Sequence, residues 1–86
     1  MHNLAVDISA GILEAASIRA AIADIDSEFA GFSHVSLVAS RDNDWWTLKL
    51  MASSGLLHQC DLFGEQQNVH NIQAALLALK GEFLAD

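Results

Sequence analysis

At 86 residues the chain has room for one domain, and a chain this short buries a smaller share of its surface than a larger one, so its core must be efficient or shared. Hydrophobic residues make up 52% of it and charged residues only 17%, which argues against intrinsic disorder and points to more apolar surface than one small core absorbs. Eleven carboxylates against four Lys and Arg give a formal net charge of −7, which opposes the counterion release that drives nucleic-acid binding and leaves solubility or a basic protein partner as uses of the charge.

The segment from residue 3 to 8 reads two ways. Leu4, Val6 and Ile8 alternate with Asn3, Ala5 and Asp7 as in a strand, yet Leu4 and Ile8 also prolong the helical stripe that follows. That stripe is Ala15, Ile18, Ile22, Ile25 and Phe29, whose spacings of three and four predict an amphipathic helix over Gly11–Phe29, ending near Gly31. A single helix from residue 3 to 29 would be about 40 Å long, more than so small a domain needs, so a break near Ser9 or Gly11 or a short leading strand is expected. Val6, Leu13, Ala16 and Ala20 form a second stripe on such a helix, suited to meeting the last helix or a second subunit.

Residues 33–40 (SHVSLVAS) alternate with Val35, Leu37 and Ala39 on one face, and residues 45–52 do the same with Trp46, Leu48, Leu50 and Ala52. Arg41–Asp44 between them is a polar hairpin loop. The run LLHQCDLF follows Ser53-Ser54-Gly55. A two-residue turn there would set Leu50 against Gln59 and Leu48 against Asp61, whereas a three-residue loop aligns Leu50 with His58, Leu48 with Cys60 and Trp46 with Leu62 and so buries apolar groups. Last, Val69, Ile72, Leu76, Leu79 and Phe83 recur at helical spacing after Asn68, a suitable N-cap.

The expected architecture is therefore a single two-layer α+β domain over 1–86: a three-stranded antiparallel meander with two helices on one face, in the order α-β-β-β-α, with an optional short N-terminal strand. The five Gly are isolated and Pro is absent, so no linker, repeat or low-complexity segment divides it. The order resembles that of double-stranded RNA-binding domains. Those domains place a basic cluster at the start of the last helix, where this chain has GEQQNVHN, so the resemblance extends to topology and not to RNA binding.

On the sheet face away from the helices this register sets Trp45 opposite Phe63 and Met51 opposite Leu57, with Val38 beside Thr47, and only Lys49, Gln59 and Asp61 add strong polarity. Aromatic and Met residues are enriched in interface cores, and large apolar patches seldom stay exposed on monomers, so this face is the candidate for self-association. SHVSLVAS carries neither Pro nor Lys and would offer unpaired backbone if it lay at a sheet edge. Asp24, Asp26 and Glu28 fall in the last turns of the first expected helix, where the macrodipole disfavours anions, and are the candidate contacts for a basic partner together with Asp42 and Asp44.

No pattern for catalysis or metal binding emerges. The three acidic side chains point in different directions on a helix, Asp42-Asn43-Asp44 lacks the Gly and closing Glu of a calcium loop, and His2, His34 and His70 have no ligand spacing with one another or with Cys60. His58 and Cys60 share a strand face, a bare thiol–imidazole juxtaposition. The lone Cys60 fits a reducing compartment, no stretch has the apolar length of a membrane span, and residues 1–20 lack the basic start of a secretory signal. The expectation is a cytoplasmic, non-enzymatic interaction module without cofactor, forming a homodimer or higher homo-oligomer through Trp45, Phe63, Met51, Leu57 and Val38. Two alternatives stand beside it: an acidic, antitoxin-like or nucleic-acid-mimicking inhibitor of a basic protein, and a small-molecule-binding protein.

Overall fold

Two neighbouring indoles show how the molecule is layered. In the computed structural model, which describes residues 4–85, Trp46 is 6% exposed and Trp45 is 40% exposed. They open strand β3 (Trp45–Ala52), and since successive strand side chains alternate between faces, the even-numbered residues Trp46, Leu48 and Leu50 are buried while Trp45 and its odd-numbered companions face the other way.

Strand β2 (Phe32–Ala39) pairs antiparallel with β3 and sets Val35 against Leu50, Leu37 against Leu48 and Ala39 against Trp46. Strand β4 (Leu57–Phe63) pairs antiparallel on the other side in the expected register, with Leu50 against His58, Leu48 against Cys60 and Trp46 against Leu62. The connection is the three-residue loop: Gly55 donates its N–H to the Ala52 carbonyl and adopts a φ of 98°, a left-handed conformation that a glycine enters without steric cost. At the β2–β3 loop the left-handed position falls to Asn43 (φ 60°), whose side-chain oxygen accepts the Trp46 indole N–H at 3.0 Å.

The ambiguous leading segment is a strand. β1 (Ala5–Ile8) lies parallel to β2 and completes a four-stranded mixed sheet in the order β1-β2-β3-β4, with Val6 beside Val35 and Ile8 beside Leu37 on the core face. Residue 3, where the ambiguity began, and His2 lie outside the described residues. A parallel pair requires a crossover, and helix α1 (Ala15–Asp24) supplies it. Ser9 fastens the junction: its N–H donates to the Leu37 carbonyl, its Oγ accepts the Ala39 N–H and its carbonyl accepts the Ile12 N–H. The chain is thus β-α-β-β-β-α.

The first helix is shorter than the expected Gly11–Phe29. It ends at Asp24, and a separate 3-10 turn (Asp26–Phe29) brings Phe29 to full burial. Phe29 therefore reaches the core through a change of helix type and not by continuing the α-helical stripe. Helix α2 (Val69–Ala85) begins as expected, with the Asn68 side chain accepting the Asn71 N–H at 2.9 Å, and buries Ile72, Leu76 and Leu79 against β3 and β4. The two helices meet where Gln73 donates to the Ala21 carbonyl at 2.8 Å. At one end of the core Phe29, Phe32 and Phe83 stack edge to face, with centroids 5.7 and 5.0 Å apart. One β-bulge, between Phe32 and His34, turns Ser33 out and allows Phe32 and Val35 both to face the core.

Trp46→Ala removes a buried aromatic and its bond to Asn43, and its expected cost is about 3–5 kcal/mol of unfolding free energy in urea titration, against less than about 1 kcal/mol for Trp45→Ala. Equal losses from the two substitutions would contradict this division of the sheet.

Candidate functional site: the open face of the sheet

Both helices pack on one side, so the other side of the sheet is bare among the described residues. Its aromatic end is the cross-strand pair of Trp45 and Phe63, with ring centroids 6.1 Å apart, and its aliphatic end is the pair of Met51 and Leu57. Phe63 is 53% exposed, Leu57 46% and Val38 43%, values that would be ordinary singly but here fall on adjoining strands of one face. Val38 pairs with Thr47, and Thr47 donates to the Asp61 carboxylate at 2.9 Å. All five residues expected to form the apolar surface are therefore on one face.

At the aliphatic end lies a shallow hollow of about 190 Å³, lined by His34, Ser36, Lys49, Met51 and Leu57. Beside it the His34 Nε2 and an Asp7 oxygen are 2.8 Å apart, a contact between β1 and β2. This pair escapes a reading of the sequence, because Asp7 reaches His34 only once residues 5–8 are a strand parallel to β2. The hollow is smaller than the roughly 300–1,000 Å³ of ordinary small-molecule sites.

The acidic residues do not form one site. Asp24 closes α1, and Asp26 and Glu28 belong to the first turn of the 3-10 helix rather than to the end of a long one. Asp26 is half-buried and accepts the Leu4 N–H at 2.9 Å, so it holds the start of β1 in place. Asp24, Glu28, Asp42 and Asp44 are exposed. No three His, Cys, Asp or Glu side chains among the described residues are grouped to hold a metal ion, and no helix among them is long and apolar enough to cross a membrane.

The second stripe imagined on the first helix is dispersed: Val6 belongs to β1, whereas Leu13, Ala16 and Ala20 are exposed, and α1 meets α2 through Ala21 instead. SHVSLVAS lies inside the sheet between β1 and β3, so its backbone is not an open edge.

His58 and Cys60 do lie on the helix-covered side of β4. His58 sits edge-on to Phe83 at 4.3 Å with its Nδ1 3.5 Å from a Glu82 oxygen. Burial, then the carboxylates of Glu82 and Asp61, push the Cys60 thiol above its ordinary range. A nucleophilic cysteine needs the opposite shift. Compared with protein-family models, curated proteins and solved structures, the chain gives no significant match.

Because the folded state holds the Cys60 proton more tightly than the unfolded chain does, this residue's contribution to stability is complete below the ordinary thiol pKa and is lost as pH rises through the raised one. Urea midpoints measured from neutral to alkaline pH are expected to fall more steeply for the wild type than for Cys60→Ala; parallel curves would show that the thiol does not titrate differently on folding.

Proposed function

We propose that the chain is a non-enzymatic interaction module that self-associates, with a second copy covering the open sheet face. The observation that carries this reading is the cluster of partly exposed Trp45, Phe63, Met51, Leu57 and Val38 on a face that no helix among the described residues covers. An isologous contact places the same patch on both subunits, so an apolar surface meets another of equal size without any further protein. Sheets stacked in this way lie about 10 Å apart with interdigitated side chains, which suits the mixture of indole, phenyl, thioether and isobutyl groups present.

Two polar pairs on this face already have partners within the chain: Thr47 donates to the Asp61 carboxylate, and Asp7 contacts His34. An acidic module directed at a basic protein has less support. Of the acidic residues that suggested it, Asp26 is engaged by the backbone of Leu4, and the others are separated along α1, the 3-10 turn and the β2–β3 loop.

Sedimentation velocity at low micromolar concentration tests the reading. The wild type is expected to travel as a dimer or a larger assembly. Combining Trp45→Ala with Met51→Ala should weaken association by about 2 kcal/mol, roughly thirtyfold in dissociation constant, while circular dichroism stays unchanged. A wild type that remains strictly monomeric overturns the proposal.

A further inference from the structure

Both edges of the sheet carry outward backbone groups. At the short β1 edge two of those that point away from β2 are taken up by side chains, Leu4 N–H by Asp26 at 2.9 Å and the Val6 carbonyl by Arg19 at 2.8 Å. At the β4 edge the alternation runs as follows. Ala52 donates its N–H to the Leu56 carbonyl, so His58, Cys60 and Leu62 direct their backbone groups toward β3, and Leu57, Gln59, Asp61 and Phe63 direct theirs outward. Of these outward N–H groups only that of Phe63 has a partner among the described residues, the Gln66 side chain at 3.0 Å. The strand has no Pro, no Lys and no bulge, the features by which exposed edges are normally blunted. The groove between α2 and the end of this strand is lined by Asn71, Ala74 and Ala75 together with Leu62 and Gln66, the last of which is the side chain that occupies the Phe63 N–H.

The sequence of β4 also matches itself in reverse. Cys60 itself faces the helices, and on either side of it the open-face residues run polar then apolar, Gln59 and Leu57 one way, Asp61 and Phe63 the other. We propose that β4 is a second interface, at which two copies pair antiparallel about a two-fold axis through Cys60 and fuse their sheets into one of eight strands. In that register Phe63 of one copy lies beside Leu57 of the other and Asp61 beside Gln59. Apolar meets apolar, and neither Asp61 faces its own counterpart. About six inter-chain backbone hydrogen bonds form, with the Phe63 N–H left on Gln66. Self-complementarity is what favours a second copy over an unrelated strand. The pairing rests on the β4 backbone and not on the sheet-face contact, so an assembly using both contacts is a tetramer.

The test uses the full chain and the thiol that the axis brings together. Cys60 opposes Cys60 at a non-hydrogen-bonded position, where Cα atoms are about 4.5 Å apart, within disulfide reach. Diamide accepts the two electrons and two protons that the two thiols release as one S–S bond forms. The expected result is a covalent dimer on a non-reducing gel, formed by the folded chain at least about tenfold faster than by the urea-denatured chain at equal concentration.

Gln59→Pro deletes an outward N–H that the β3–β4 ladder does not use, and should halve the sedimenting mass and abolish the cross-link. Gln59→Asp, which sets a carboxylate against the other copy's Asp61 while facing Lys49 of its own chain, should do the same without altering the backbone. The edge pairing is overturned if folded and denatured chains cross-link equally, or if folded Gln59→Asp keeps the wild-type mass. Failure of the sheet-face reading looks different: Trp45→Ala with Met51→Ala then leaves the mass unchanged while the diamide cross-link persists.

Discussion

One parity governs this molecule: in β3 the even-numbered side chains are core and the odd-numbered ones are not. Everything lateral to β3 inherits that choice. Leu37 and Cys60 flank Leu48, and Val35 and His58 flank Leu50, so a slip of one residue would bring Gln59 and Asp61 of β4, or His34 and Ser36 of β2, beneath the helices. The loops enforce the parity. Asn43 adopts the left-handed turn conformation and holds the Trp46 indole at the start of the strand, and Gly55 closes the three-residue loop at its end. Both α-helices of the described residues lie on the parity-defined inner side, which leaves the outer side without a helix.

Much of this was legible in the sequence because the physical signals there are redundant. The β3–β4 register followed from asking which loop length avoids burying Asp61 and Gln59, a choice between two alternatives of very different cost. The α2 stripe and its Asn68 cap were equally plain. Legibility failed where two periods coincide. Leu4 and Ile8 are four apart, which fits a helix, and they also alternate with polar neighbours, which fits a strand. The answer came from residues 35 and 37, far along the chain, that receive Val6 and Ile8. The end of α1 was hidden for a related reason: Ile25 and Phe29 continue the apolar rhythm, but a 3-10 turn carries Phe29 into the core as well as an α-helix would.

The acidic residues are the more instructive failure. Treated as the end of a long helix, Asp24, Asp26 and Glu28 broke a local electrostatic rule, and a broken rule points toward function. In the structure the helix stops at Asp24, and the two acids beyond it stand at the beginning of a new turn, where negative charge is favoured. Asp26 has a plain structural task on Leu4. The apolar surface needed no such boundary to be right: Trp45, Phe63, Met51, Leu57 and Val38 depend only on strand parity, which is why they stayed together when the helix limits moved.

The fastening of β1 has a consequence for the order in which the molecule assembles. β2, β3 and β4 are joined by short loops and α1 is local, so these parts close at small entropic cost. β1 must wait for a neighbour nearly thirty residues away in the chain, Ala5 pairing with His34 and Ile8 with Leu37. It is four residues long, and its outer edge is held by two side chains, Asp26 and Arg19, that exist in position only after α1 and the turn beyond it have docked. β1 is thus the strand expected to join the sheet last and leave it first, and its departure would uncover the outward backbone of β2, a strand without Lys that the native sheet keeps enclosed.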